Sequence, residues 1–331
     1  MERRTISKET QNKVLPIIPN KIIEMLPESP ESLLKYADRV KEIYFSPSIK
    51  DDNIKKLMKE HLLSDEEYLK TFYYVMALSF YNKKPVANPE IAIVAAQTGS
   101  GKSHLTAKIL RENSNYVFVD SDKYKHFRYD AKKIAEDYPV LYPFLTGPDA
   151  YDHADNIYKY AVENGYNVIK ETAPSPNKSL LGTNIDKKYK VAVHILAVGN
   201  INSSLSVHER YELQIISGLK TAKLTPLIRH NESYEALTGC VDRLINEEKV
   251  ENIKVYTRGN KENGFDPIKI YPSNEFNSAL KAIDSARNND NAITKRELNK
   301  RVERIIDKMN NRNAASEQFN QIKEIQKLVG E

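Results

Sequence analysis

The sequence predicts an α/β fold in which a parallel sheet carries helices on both faces, with helical extensions at both ends of the chain. Two observations lead to this prediction. Short runs rich in β-branched residues alternate with segments of helical length, and this alternation requires crossover connections between parallel strands. Outside the alternating region, apolar residues recur every three or four positions, which is the period of an amphipathic helix.

Length and composition set the scale of the molecule. The chain has 331 residues, of which 40% are hydrophobic and 29% are charged. This suits a globular protein of roughly two domains. We expect a helical N-terminal region at 1–84, a central α/β domain at 85–275 and a helical tail at 276–331. Neither a signal-type apolar core nor an apolar run near the roughly 20 residues of a membrane span occurs, so we expect a cytoplasmic protein that binds no membrane.

Charge and cysteine content narrow the classes of partner. The 50 basic and 45 acidic residues are interspersed and leave a net charge of +5, which argues against nucleic acid as the main partner. A solvated surface plus a cleft for a polyanionic nucleotide explains the excess equally well. The single cysteine, Cys240, cannot form an internal disulfide and fits a reducing compartment. We expect it to pack as a small apolar side chain.

The N-terminal region divides into two parts. Residues 1–20 contain Pro16 and Pro19 and show no sustained period, so an irregular segment is expected. Between Pro30 and Tyr81 the apolar residues follow a helical period, and Ser64 with a glutamate three positions later forms a capping-box signature. Residues 82–89 are interpreted as a linker, because they include two prolines.

The central region and the tail follow the alternating and then the helical pattern. Strands are predicted at 91–95, 116–119, 167–169, 191–198 and 253–256. After the polar residues 288–291, two amphipathic helices are predicted. Their apolar stripes are formed by Leu298, Val302, Ile305, Ile306 and Met309, and by Phe319, Ile322, Ile325 and Leu328.

A glycine-rich segment directly follows the first predicted central strand. It reads Ala96, Gln97, Thr98, Gly99, Ser100, Gly101, Lys102, Ser103, and it leads into a predicted helix at 104–111. Small residues let backbone N–H groups surround phosphates, the lysine supplies a positive charge, and the hydroxyl of Ser103 suits Mg²⁺. The strand, loop and helix in this order predict a nucleotide-binding P-loop with ATP and Mg²⁺ as ligands.

Acidic side chains follow two further predicted strands. Asp120 and Asp122 come after the strand at 116–119, and Glu171 stands at the end of the strand predicted at 167–169, two residues beyond Ile169. Strand ends of this kind form the ligand crevice of open α/β sheets. A carboxylate there can take a proton from an acceptor hydroxyl, or it can cap the next helix. Glu171 could bind a sugar hydroxyl, support the metal or act as a cap.

Basic residues later in the chain are candidates for stabilising a transferring phosphoryl group. Arg210 lies on a predicted helix after the strand at 191–198, and Lys223 follows in a segment that Pro226 interrupts. Cations on a lid can neutralise the charge of the transferring group. An isolated arginine on a helix is more often a surface ion-pair partner.

Taken together and in order, these segments resemble the zeta toxin family of bacterial toxin–antitoxin systems. The resemblance covers about residues 68–260, and the stretch 296–302 is also similar to the family. It implies a P-loop kinase-like fold and transfer of phosphate from ATP to a hydroxyl of UDP-N-acetylglucosamine or a related UDP-amino-sugar. It also implies an antitoxin partner, which is either a separate protein or part of the N-terminal region.

The resemblance assigns roles to individual residues. It makes Lys102 the P-loop lysine, Asp122 the general base, and Arg210 the first phosphate-clamping arginine. For the substrate it implies contacts from Asp120, Glu171, Asp155 and Thr183. Ser103 is the expected metal ligand.

The sequence departs from the family pattern at three points. Ala96 replaces the first P-loop glycine, Thr-Ala-Pro-Ser follows Glu171, and Lys223 stands where a second clamping arginine is expected. Lysine keeps the charge but loses the bidentate fork of arginine. Two alternatives to a UDP-amino-sugar kinase therefore stay open. The first is a kinase for a nucleic-acid end, a nucleotide or an antibiotic, and the second is a nucleotide-binding interaction protein without turnover.

Overall fold

The computed structural model describes residues 2–43, 45, 49–138, 141–176, 178–182, 185, 188–219, 222, 224–260, 265–290 and 294–330. The strands are β1 (Arg3–Thr5), β2 (Asp38–Val40), β3 (Glu90–Ala95), β4 (Tyr116–Val119), β5 (Asn167–Thr172), β6 (Lys190–Leu196), β7 (Asn252–Thr257) and β8 (Ile268–Tyr271). The helices are α1 (Lys8–Val14), α2 (Asn20–Glu24), α3 (Pro30–Leu33), α4 (Asp52–Glu60), α5 (Asp65–Phe80), α6 (Lys102–Glu112), α7 (Ser121–Tyr124), α8 (Ala131–Asp137), α9 (Tyr142–Leu145), α10 (Gly147–Glu163), α11 (Asn200–Ile216), α12 (Leu227–Asn246), α13 (Ala279–Asp290), α14 (Lys295–Asn311) and α15 (Ser316–Gly330).

The chain forms two compact units. The first comprises Met1–Pro89 and Asn115–Val168, and the second comprises Glu90–Ser114 and Ile169–Glu331. The boundaries expected from the sequence, after residues 84 and 275, stay a prediction.

The first unit is built around α5 and α10. Tyr68, Phe72 and Tyr73 of α5 are fully buried, and the hydroxyl of Tyr68 donates to the Asp38 carbonyl at 2.8 Å. Strand β2 pairs antiparallel with β1, which joins the first residues of the chain to this core. An ion cluster lies in the same unit, where Asp149 accepts from Arg39 at 2.7 Å and from Arg128 at 3.2 Å. All three of these charged side chains are nearly inaccessible to water, so each depends on its partners for stability.

The second unit contains a mainly parallel sheet. Its strands follow the order β5, β3, β6, β7, β8, with β3, β6 and β7 parallel and β8 antiparallel to β7. Helix α6 packs on β3, and α13 packs on β7 and β8. Most residues of β3 and β6 are buried, as the unbroken apolar runs predict. The predicted α/β class, a parallel-dominated sheet flanked by helices with helical segments at both chain ends, is confirmed.

Most predicted elements are present, and the exceptions have physical causes. The prediction of an irregular segment at residues 1–20 is wrong, because the segment contains β1 and α1. Strand β1 pairs with β2, more than thirty residues later, and Ser7 caps α1 by accepting from the Thr10 N–H at 3.1 Å. The helical prediction for Pro30 to Tyr81 misses β2, because β2 is stabilised by its pairing with the distant β1. Ser64 does cap α5, accepting from the Glu67 N–H at 3.2 Å. The edge strand β8 was not predicted, since its residues are half-exposed and do not form an apolar run. It pairs antiparallel with β7, so the sheet is mixed rather than purely parallel.

His153 is an acid-sensitive position in the core of the first unit. Its ring is 1% exposed and stacks on Tyr68 with 4.2 Å between ring centroids, and within the described residues neither ring nitrogen has a hydrogen-bond partner. Burial lowers the pKa of His153, and together with the smaller effect of the nearby Arg39 and Arg128 it brings the value to about 3. The unfolded residue titrates near its ordinary value of 6.5, so the unfolded chain binds the extra proton. The contribution of neutral His153 to the free energy of unfolding should therefore be fully present above pH 6.5 and should be lost as the pH is lowered.

We expect His153→Phe to weaken this pH dependence, because phenylalanine keeps a stacked ring but cannot bind a proton. At pH 5, protonation of His153 in the unfolded parent chain should lower the free energy of unfolding by about 2 kcal/mol, and the variant should not show this loss. Urea unfolding at pH 7 and pH 5 measures it. Burial raises the pKa of the neighbouring Asp152 to about 6, which acts in the opposite direction but is present in both chains. If the free energy of unfolding depends equally on pH in the parent and in His153→Phe, His153 is not the source of the acid sensitivity.

Candidate active site

The predicted phosphate loop joins β3 to α6. Gly99 and Gly101 adopt positive φ angles of 79° and 101°, and Gly101 is the N-cap of α6. A left-handed N-cap is readily adopted by glycine and leaves the first N–H groups of the helix pointing out of its N-terminus. Eleven residues of α6 follow, so the dipole of a full helix is directed at the loop. The local fold thus presents backbone donors to an anion.

Gly99 is required by close packing as well as by its backbone angle. A Cβ atom there would lie 2.1 Å from the Ser203 carbonyl oxygen and 2.7 Å from a Val207 methyl group, both on α11. Ala96, by contrast, is fully buried and its N–H donates to the Thr172 carbonyl at 3.3 Å, which extends the strand pairing by one residue. The alanine at the first glycine position therefore fits the loop, because that residue continues the sheet.

Lys102 is folded back over the loop. Its Nζ donates to the carbonyl oxygens of Ala96 at 2.8 Å and Gln97 at 3.2 Å. Burial lowers the pKa of Lys102 to about 8, with Glu171 opposing this shift and Arg210 adding to it. The protein alone thus stabilises the ammonium group poorly, and an anion would stabilise it.

One cavity of about 470 Å³ contains most of the predicted phosphate and catalytic residues of the second unit. Its polar walls come from the loop, from the end of β5 and from α11. The lining residues predicted from the sequence are Thr98, Gly99, Ser100, Gly101, Lys102, Ser103, Glu171 and Arg210. Gln97 does not line the cavity, because it is fully buried and its amide donates to the Val198 carbonyl at 2.8 Å.

Glu171 lies between this cavity and a second one. Its Oε1 accepts from the Thr106 hydroxyl at 2.8 Å, which fixes the carboxylate against α6. The second cavity, of about 560 Å³, is lined by Glu171 together with Lys170, Thr172, Ser175 and Lys178. A single carboxylate therefore borders the phosphate loop on one side and a hydroxyl-rich, cationic cavity on the other.

Arg258 is a site residue that the sequence analysis missed. Its Nε donates to the Ser100 carbonyl at 2.9 Å, it also donates to the Gly99 carbonyl, and it lines the same cavity as Lys102. The signal was present, because Arg258 directly follows β7 at the end of a parallel strand, the position from which Asp120 and Glu171 were selected.

The two candidate aspartates of the first unit have different surroundings. Asp120 is the N-cap of α7, and its Oδ1 accepts from the N–H groups of Asp122 at 3.0 Å and Lys123 at 3.2 Å. The capping alternative therefore holds for Asp120. The carboxylate of Asp122 is largely exposed and pairs with the buried ammonium group of Lys125. That pair leaves one face of the carboxylate in contact with solvent.

The remaining predicted residues are placed as follows. Asp155, on α10 in the first unit, is exposed and pairs with Arg3 at 3.2 Å. Thr183 and Lys223 lie outside the described residues, and their roles stay predictions.

The loop also fits a bound phosphate by one unsatisfied donor. Within the described part of the chain, the Ser100 hydroxyl is buried without a hydrogen-bond partner. Buried polar groups of this kind generally have partners in native structures, so the donor of Ser100 suits a ligand oxygen. Ser103 is exposed and lines the cavity, so its hydroxyl can reach a divalent cation of the Mg²⁺ type.

The family model described as Zeta toxin matches residues 77–269. The chain belongs to the Zeta toxin family. The matched region contains the phosphate loop, Asp122, Glu171 and Arg210, so the resemblance noted in the sequence is confirmed. This family is a kinase-like P-loop family, which supports phosphoryl transfer in general and a toxin-type function.

Relatives of the Zeta toxin family and a solved structure agree with this placement. Toxin zeta of Enterococcus hirae is 26% identical over 234 residues, which cover 69% of this chain and 78% of the relative. Toxin zeta of Streptococcus agalactiae is 25% identical over 235 residues, with the same coverage of 69% and 78%. A structure from the PezAT chromosomal toxin–antitoxin system of Streptococcus pneumoniae shares the fold, with a TM-score of 0.60 at 18% identity over 74% of this chain and 98% of that one.

Two properties of this chain can be stated for the described residues alone. None of their helices is both long and apolar enough to span a membrane. Cys240 is buried, and its thiol donates to the Ser175 carbonyl at 3.3 Å, as a packed cysteine is expected to do.

Proposed function

We propose that this protein is a kinase that transfers the γ-phosphoryl group of ATP to a hydroxyl of a UDP-amino-sugar such as UDP-N-acetylglucosamine. The observation that carries the proposal is the placement of Lys102, Arg210 and Glu171 around one cavity at a glycine-rich loop. Two cations and one carboxylate in this arrangement suit a polyanionic donor whose terminal phosphate must be held beside an acceptor.

The phosphoryl-transfer step assigns a task to each residue. The acceptor hydroxyl gives its proton to Asp122, its oxygen forms a bond to the γ-phosphorus, and the bond from that phosphorus to the bridging oxygen of ADP breaks. Lys102 and Arg210 stabilise the negative charge on the transferring group, and we assign the same task to Lys223. Ser103 would hold Mg²⁺, which neutralises charge on the donor phosphates when bound.

The second cavity is proposed as the acceptor site. Lys170 and Lys178 supply positive charge for a diphosphate, and the hydroxyls of Thr172 and Ser175 can pair with sugar oxygens. Glu171, shared with the phosphate-loop cavity, would orient the hydroxyl that receives phosphate. Following the family resemblance, we also assign substrate contacts to Asp120, Asp155 and Thr183.

An inhibitory partner belongs to this proposal, because a kinase that consumes an essential precursor would harm its own cell. The solved PezAT structure comes from a toxin–antitoxin system. We propose an antitoxin for this protein, either separate or supplied by the residues before 85.

Mass spectrometry of a UDP-sugar panel incubated with Mg·ATP and the protein tests the acceptor. We expect a UDP-amino-sugar to gain one phosphoryl group, with stoichiometric release of ADP. Omission of Mg²⁺ serves as the control and should stop product formation. ADP release that requires a nucleotide, an antibiotic or a nucleic-acid end in place of the sugar would overturn the acceptor assignment. Binding of ATP without turnover on any acceptor would favour the interaction-protein alternative.

A further inference from the structure

Helices α14 and α15 pack against α11, which carries Arg210, although the Zeta toxin match ends at residue 269. The contact is an apolar cluster. Its buried members are Leu205 of α11, Leu298, Val302, Ile305 and Met309 of α14, and Ile322, Ile325 and Val329 of α15. Arg301 stands three residues after Leu298 and four before Ile305, so it lies on the side of α14 that faces α11.

Arg301 binds a row of polar groups on α11. Its Nε and Nη2 donate to the two carboxylate oxygens of Glu209 at 2.8 Å and 2.6 Å, and Nη2 also donates to the Ser206 hydroxyl at 3.0 Å. Its Nη1 donates to Oδ1 of Asn202. The arginine side chain is 14% exposed, so this is a partly desolvated bidentate pair with additional bonds.

Asn202 connects Arg301 to the phosphate loop. Its Oδ1 also accepts from Arg258 Nη1 at 3.0 Å, so two guanidinium groups share one amide oxygen. Arg258 in turn holds the carbonyl oxygens of Gly99 and Ser100. Because a peptide unit is planar and trans, holding the Ser100 carbonyl fixes the direction of the Gly101 N–H. A continuous set of hydrogen bonds therefore runs from the C-terminal tail to a backbone donor of the loop.

We propose that Arg301 is a positioning residue for the phosphate loop, acting through Asn202 and Arg258. The inference rests on the proposed function and adds to it a residue outside the family match. Loss of the guanidinium fork would free Asn202 to rotate, would release Arg258 from one of its partners, and would let the loop carbonyls reorient. Nucleotide affinity is the property that then falls, since the loop donors would have to be ordered during binding.

The chain offers a matched control for a purely structural role. Arg312, at the end of α14, also forms a bidentate pair with α11, donating to the carboxylate of Glu212 at 2.8 Å and 2.6 Å. Glu212 does not line the nucleotide cavity. Arg301 and Arg312 thus tie the same two helices by the same kind of bond, but among the contacts of the described residues only those of Arg301 lead to the loop.

The test compares Arg301→Lys with Arg312→Lys in the full chain. Lysine keeps the charge and removes the fork. We expect Arg301→Lys to weaken ATP binding about tenfold by titration calorimetry, as expected for loss of hydrogen bonds between charged groups. Arg312→Lys should stay within about twofold of the parent, although thermal unfolding should show comparable losses of stability in the two variants.

Asn202→Ala interrupts the same connection from its other side and provides a second measurement. We expect it to weaken ATP binding as Arg301→Lys does, and the double variant to bind no more weakly than Asn202→Ala alone. Equal ATP affinity of Arg301→Lys and Arg312→Lys, or additive effects in the double variant, would overturn this inference while the proposed function stands. Failure of the parent chain to bind ATP would overturn both.

Discussion

Lys102→Ala is expected to abolish phosphoryl transfer and to leave the fold at least as stable as that of the parent. Burial lowers the pKa of Lys102 to about 8, so the protein alone holds its charge at a cost in free energy. Alanine removes that cost together with hydrogen bonds to two loop carbonyls, those of Ala96 and Gln97. The charge becomes favourable only when phosphates enter the cavity, where loss of one stabilising cation typically costs about 10²- to 10³-fold in rate.

ADP release and thermal unfolding, measured on the same preparations, test this expectation. Lys108→Ala is the matched control, because Lys108 lies on the same helix α6 and pairs at 3.6 Å with Glu112, which is also on α6. We expect the control to keep parent-like turnover. Parent-like turnover by a folded Lys102→Ala variant would mean that the loop is not the phosphate site.

Asp122→Asn is expected to lower turnover by about 10²- to 10⁴-fold, the usual effect of removing a positioned general base. ATP binding should persist, because the assigned task of Asp122 concerns the acceptor proton. The amide also removes the carboxylate that pairs with the buried Lys125 ammonium, so a moderate loss of thermal stability should accompany the kinetic effect.

Asp120→Asn separates the two aspartates. Asparagine caps helices about as well as aspartate, so α7 should keep its N-terminal hydrogen bonds. We expect a much smaller loss of turnover than for Asp122→Asn, measured with the acceptor that the UDP-sugar panel identifies. Similar losses at both positions would show that the base has been assigned to the wrong residue.

The sheet was predictable from the sequence because its central strands are buried on both faces. Strand β3 begins one residue before its predicted start and ends at the predicted residue, since an unbroken apolar run leaves little choice of structure. Strand β8 lacks such a run, and its exposed edge position allows Lys269 between its isoleucines and Tyr271 at its end. Strand β1 has no local signal, because what stabilises it is its pairing with β2.

The candidate site was predictable where the chemistry is local. The P-loop residues and Glu171 follow strands whose ends could be located, and they line the cavity at the loop. The contribution of Arg301 could not be found in this way, because Asn202 is 99 residues distant along the chain and no local pattern indicates that the two side chains meet. The sequence also left open whether Asp120 caps a helix or acts as a base. The structure shows the cap, because its Oδ1 accepts from the N–H groups of Asp122 and Lys123.

The packing of α14 and α15 on α11 has a practical consequence for recombinant production. A fragment trimmed to the matched residues 77–269 would leave the apolar side of α11 around Leu205 in water. The same trimming would cut α5 near its end and remove its buried aromatic residues Tyr68 and Phe72 from the first unit. Two uncovered apolar surfaces in one short chain favour self-association. Crystallisation and kinetic work should therefore begin from residues 1–331.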